Sequence, residues 1–236
     1  MSAIFEAWTE LSEEAERREP ATKVAEQARS TVLQLADEQL VELVHRLFLA
    51  GWPKSMRQVV FAGTGEDAGC AGICRRIAET LADQSPARVC LLETDCKVHV
   101  SKAGGCAENQ ELEDGDWESL PREPVKLKRN LQLFPGSTWR SAQERATLPW
   151  MRRRLAELRS TFDYAVIHAP PIGVSSEPET LARLTDGMVL VVEAHRTRRV
   201  LARVTQKKLR SAGVQVLGAI LSGRTFPIPE RIYRRF

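Results

Sequence analysis

Gly63, Gly65 and Gly69 lie between an apolar run at 59–62 and an amphipathic stretch that begins near Cys70 and carries Gly72 in its first turn. A strand, a glycine-rich turn and a helix in that order can hold an anion. Glycine lets the backbone curl tightly, and the helix start presents free N–H groups and the positive end of its dipole. In its complete form, G-x-x-x-x-G-K-[ST], such a loop ends in a lysine for the outer phosphates and a hydroxyl for magnesium. Here Cys70 and Ala71 follow Gly69, and Glu66 and Asp67 add negative charge that opposes a polyphosphate. Two readings stay open. Either Gly65, Gly69, Cys70, Ala71 and Gly72 still contact a nucleotide such as ATP or ADP with Mg, or the turn only joins strand to helix.

The other residues able to do chemistry are acids, thiols and one histidine. Residues 88–94, RVCLLET, read as a second buried strand whose end carries Glu93, with Asp95 just beyond. Acids at the carboxyl end of a strand in an open α/β sheet face the ligand crevice, so both are candidate magnesium ligands; capping of the next turn is the plainer alternative. Five cysteines, at 70, 74, 90, 96 and 106, are odd in number, irregular in spacing and free of any C-x-x-C pair, which fits reduced thiols better than a disulfide framework.

These residues need a scaffold, and 236 residues with 43% hydrophobic content suit one α/β domain with a sizeable core. Residues 1–30 are polar and acidic and read as a loosely ordered extension, leaving 31–236 as a single domain. From 31 to 50 apolar residues recur at helical spacing until Gly51-Trp52-Pro53, and this helix should pack on the main domain, with His45 at its surface. The 101–130 stretch shows little periodicity and reads as a long mobile surface loop. Strands follow at 131–134, 164–168, 188–193 and 215–221. Helices are expected at 149–161, around 179–184 and at 199–212, with Leu155 and Leu158 on the buried side of the first and Tyr164 buried in its strand. Six strands alternating with helices predict a doubly wound, mostly parallel sheet with helices on both faces and an N-terminal helical extension.

Charge is divided unevenly. Residues 1–120 carry 22 acids and 12 bases, whereas 121–236 carry 9 acids and 22 bases. The basic half can attract an acidic protein, an anionic lipid or nucleic acid, although no aromatic residues interleave the arginines as base stacking would need, so no specific nucleic acid is expected. No apolar run approaches the roughly 20 residues of a membrane span, and the acidic start lacks the apolar core of a signal peptide, so the chain is expected to be cytoplasmic.

The order of motifs from about residue 37 to 222 resembles the cytoplasmic domain of bacterial tyrosine kinases of capsule and exopolysaccharide assembly, which have a P-loop NTPase-like fold. The resemblance rests on the loop at 59–72, VCLLETDCK at 89–97, LQLFPG at 131–136, FDYAVIHAPP at 162–171, TDGMVLVVEAHRTRR at 185–199 and VQVLGAILS at 214–222. It implies that Cys70 stands at the phosphate-binding lysine and Ala71 at the magnesium-binding hydroxyl. Glu93 and Asp95 occupy the acids of the second Walker motif, His168 the Walker B aspartate, and Ser222 an asparagine that helps hold adenine. Glu38 is kept from a ring-forming motif whose two arginines are Val41 and Val44 here. Tyr233 is the only tyrosine of a tail that in active members carries a cluster.

The resemblance therefore implies a catalytically degenerate member acting as a regulatory or binding partner in polysaccharide export. Its expected partner is an inner-membrane polysaccharide co-polymerase or another export-complex protein, which would hold it peripherally at that membrane. A residual ATPase or tyrosine autokinase, using Glu93 and Asp95 for the metal, is the alternative. In this fold Cys70 and His168 should face one crevice near Glu93 or Asp95, which allows a reactive thiolate or a small zinc site. The simpler expectation is that Cys70 and Cys74 are small buried residues filling the space of lysine and nucleotide.

Overall fold

The computed structural model describes residues 37–50, 56–65, 69–94, 99–100, 106–107, 123–139, 147–194 and 196–223. The chain divides into two units, Met1–Val32 and Leu33–Phe236, of which the first lies outside the described residues together with the extension expected at 1–30.

In the second unit helix α1 (Asp37–Val44) runs on as a π-type turn, His45–Leu49, closed by Ala50 N donating to His45 O at 2.6 Å. Strand β1 (Gln58–Gly63) leads to α2 (Cys70–Gln84) and β2 (Val89–Glu93). Two short strands, β3 (His99–Val100) and β4 (Cys106–Ala107), pair antiparallel as a ribbon of their own. Then come β5 (Val125–Lys128), β6 (Leu131–Phe134), the short helix α3 (Gly136–Trp139), α4 (Leu148–Thr161) and β7 (Tyr164–Ala169). Helix α5 (Glu177–Leu184), β8 (Gly187–Glu193), α6 (Arg199–Ser211) and β9 (Val216–Ser222) complete the order.

Seven strands form one sheet in the order β5-β6-β2-β7-β1-β8-β9, parallel throughout except for β5. The strands are near-continuous apolar runs because both faces are covered. Alternation along each strand divides the core in two. Val59, Phe61, Leu91 and Val166 face α1 and α2, where Leu40, Val44, Phe48, Ile73, Cys74 and Ile77 meet them. Val60, Ala62, Leu92 and Ile167 face the other way, toward Met151, Leu155 and Leu158 of α4, Leu181 of α5 and Leu209 of α6.

Two expectations need correction. The stretch 101–130 is not all loop: β5 is an antiparallel edge strand, with Val125 and Leu127 packed on the core and Lys126 exposed, and β4 also falls within it. Four residues of V-K-L-K, two of them lysines, carry too short an alternation to stand out from a charged stretch. Tyr164 is half-buried, since it lies at the start of β7 with one ring face against Phe48, edge to face at 5.7 Å. His45 is exposed, as expected.

The amino-terminal edge of the sheet is densely tied. Asp186 accepts hydrogen bonds from the backbone N–H of Arg57 at 2.7 Å and of Gln58 at 2.8 Å, and an ion-paired bond from Arg159 at 2.6 Å. The Arg57 guanidinium donates to the carbonyls of Arg159, Phe162 and Asp163. Asn130 Nδ2 reaches three carbonyls, of Ala82, Ser85 and Ala87, at the end of α2.

Candidate functional site

At the carboxyl edge, β1 ends at Gly63, and α2 starts at Cys70 directly after Gly69. Gly69 has φ +62° and ψ +22°, a left-handed conformation that glycine adopts without steric cost, and its carbonyl accepts the first helical bond, from Ile73 N at 3.2 Å. No side chain caps the helix start. A Cβ at Gly65 would meet nothing within 4 Å, so space does not require glycine there. Thr64 ties the end of β1 to its neighbours: its N–H donates to Val191 O at 3.0 Å, and its hydroxyl lies 3.1 Å from that of Thr197. The loop after β7 is held to the same end by Ile172 N donating to Gly63 O at 2.9 Å.

Cys70, at the helix start, is 8% exposed and belongs to the core that contains Phe61 and Cys74. The four-residue helical step stacks the two thiols, with sulfurs 4.0 Å apart. Burial, then the Cys70 thiol and the nearby Glu93 carboxylate, push the Cys74 thiol well above its ordinary pKa. Burial raises Cys90 as well, on the opposite sheet face. Cys70, Cys74 and Cys90 are all buried.

Glu93 and His168 follow from strand register. They are direct partners across β2 and β7, and Phe61 of β1 stands on the other side of His168. Each lies two residues beyond an α2-facing core residue, Leu91 and Val166, so both belong to the α2 side of the sheet. Glu93 is 2% and His168 4% exposed. The His168 carbonyl accepts from Thr94 N at 2.9 Å and from its hydroxyl at 3.2 Å. Cys70, Glu93 and His168 thus share a layer, yet no group of three or more His, Cys, Asp or Glu among the described residues could hold a metal ion. Asp95, Glu66, Asp67 and Tyr233 lie outside the described residues.

Ser222 ends β9, buried, with its hydroxyl donating to Val192 O at 3.3 Å. Val41 is exposed on α1, whereas Val44 is fully buried in the core, so a cation at 44 would have no solvent to project into. One feature of this edge was not read in the sequence. Trp139 Nε1 donates to the buried Glu177 carboxylate at 2.9 Å, and Trp150 packs across Trp139 at 4.8 Å. An acid in the first turn of α5 was the available signal; its indole partner lies 38 residues away in sequence.

The donor set does not fit a magnesium nucleotide as the glycine turn would normally bind one. The start of α2 supplies backbone N–H groups but neither ammonium nor hydroxyl at positions 70–72, and the sulfur at 70 is turned into the core.

No protein-family model matches the chain. Over 73 residues, 31% of this chain, it is 30% identical to the tyrosine-protein kinase CpsD of Streptococcus agalactiae. Over 66 residues, 28% of this chain, it is 33% identical to the putative tyrosine-protein kinase CapB of Staphylococcus aureus. The chain thus matches about a third of the length of these curated relatives, 32% and 29% respectively. The kinase domain of the Escherichia coli tyrosine kinase ETK superposes with a TM-score of 0.61 at 17% identity, covering 82% of this chain and 78% of that one. The VpsO kinase domain gives 0.61 at 19% identity, covering 86% of this chain and all of that one. Over about a third of its length the chain is similar in sequence to bacterial tyrosine kinases, and it has the P-loop NTPase-like fold of the tyrosine-kinase domains it superposes on.

Proposed function

We propose that the chain is a catalytically silent relative of the bacterial tyrosine kinases. It acts as a regulatory or binding partner in capsule or exopolysaccharide biosynthesis and export, on an inner-membrane polysaccharide co-polymerase or another protein of the export complex. The observation that carries this reading is the packing of Cys70: the residue opening the phosphate-loop helix lies in the core against Cys74. Phosphoryl transfer is positioning and charge neutralisation, so lysine and metal are the catalyst itself. Each charge-assisted bond lost is worth roughly 1.5–3 kcal/mol. Ala71 and His168, at the places of the hydroxyl and the Walker B aspartate, support the same reading.

The test is incubation of the purified chain with ATP and magnesium, alongside the double variant Cys70→Lys, Ala71→Ser. Neither is expected to yield phosphotyrosine or phosphate release, since Glu66, Asp67 and His168 remain in the variant. Labelled Tyr233 in the wild-type chain would overturn the reading. Turnover in the variant alone would show that the loop was the sole defect.

A further inference from the structure

Helix α6 carries a cationic surface that the phosphate-loop crevice does not use. From 196 to 210 the sequence holds seven cations and no acid. Thr205 and Leu209 face the core, which leaves Arg199, Arg203 and Lys207 on the outer face, one turn apart, with Val200 70% and Val204 50% exposed between them. Lys208 pairs with Glu179 at 3.0 Å and Arg196 with Glu193 at 3.7 Å. Arg198, Arg199, Arg203, Lys207 and Arg210 form no ion pair with a described residue. Arg198 is the cap position, there is no side-chain cap and no acid in the first turn. Arg198 and Arg199, cations at the helix start, oppose the dipole and do not serve the helix's own stability, whereas Lys208 and Arg210 in the last turn complement it.

The complement is in the same chain. Residues 108–118, ENQELEDGDWE, hold six acids and no base, with Leu112 and Trp117 among them. They lie outside the described residues. We propose that the outer face of α6 docks the acidic stretch 108–118 of a second copy of this chain. Opposite charges steer the encounter and set the register. The two exposed valines offer the apolar centre that an interface needs, and Trp117 and Leu112 are side chains of the kind that fill one. Two different patches on each copy make the contact heterologous, head to tail. The face lacks the aromatic residues that base stacking uses and the Trp, Phe or Leu that insert into lipid, which favours a protein partner. The inference does not depend on whether the chain binds nucleotide.

The test is sedimentation velocity of the full chain at about 0.05 M and 0.5 M salt. One variant reverses the helix (Arg199→Glu, Arg203→Glu, Lys207→Glu) and another the acidic stretch (Glu111→Lys, Glu113→Lys, Asp114→Lys). The wild-type chain should associate at low salt and weaken roughly tenfold or more at high salt. Each variant alone should be monomeric, and an equimolar mixture should associate again, because each supplies the charge the other lost. A milder pair, Arg203→Gln with Lys207→Gln, should weaken association partway and guards against misfolding of the triple variant. A monomeric wild-type chain at low salt, association untouched by helix reversal, or failure of the mixture to recover would each overturn the proposal. So would helix reversal that abolishes binding to RNA or to phosphatidylglycerol vesicles while the wild-type chain stays monomeric.

Discussion

Gly69 and Asp186 show at the residue scale how the two ends of the sheet differ. Gly69 holds φ +62°, so Gly69→Ala places a Cβ where the left-handed conformation costs about 1–2 kcal/mol. A denaturant melt should lose that much stability. At the other end Asp186 gathers two backbone N–H groups and one guanidinium. Burial alone would raise its carboxyl pKa, but the Gln58 and Arg57 amides and the Arg159 guanidinium together hold it below the ordinary value. A depressed folded-state pKa stabilises above the unfolded value, about 3.9, and that contribution is lost as pH falls through the folded value. Asp186→Asn should therefore cost about 1–3 kcal/mol near neutral pH. The gap from wild type should stay flat down to about pH 5 and narrow below about pH 4. A gap independent of pH down to acid unfolding would show that the charge contributes nothing.

Elements obeyed local pattern wherever a strand or helix was long enough to repeat itself. The six main strands and the helices at 70–84, 148–161, 177–184 and 199–211 were legible because alternating burial imposes periods that the apolar residues follow. β5 was not, since two apolar residues among lysines make no period, and only its pairing with β6 defines it. The π-type turn at 45–49 was equally hidden: it shifts the helical register without altering the apolar pattern. Gly187 belongs here too. At φ +151°, a Cβ on it would sit 2.8 Å from the Gln215 carbonyl and 2.8 Å from Leu217 Cγ, so β8 can approach the chain entering β9 only without a side chain. Gly187→Ala should cost about 2 kcal/mol or more, because a carbonyl cannot yield as a flexible side chain can. A melting temperature equal to wild type would mean that β9 moves freely.

Over the whole molecule, hydrogen bonds knit the amino-terminal edge of the sheet, while the carboxyl edge, where open α/β sheets place their ligands, carries buried Cys70, Glu93 and His168. The chemistry of that edge was legible in part. Cys70 and Ala71 after Gly69 are plain in the sequence, but register was needed to set Glu93 beside His168, and packing to turn the Cys70 sulfur onto Cys74. No helix among the described residues is long and apolar enough to cross a membrane. The proposal of a silent crevice predicts how it answers nucleotide. Calorimetric titration of the purified chain with ATP, with and without magnesium, should show no magnesium-dependent binding and at most weak, salt-sensitive heat. Tight binding that requires magnesium would contradict it.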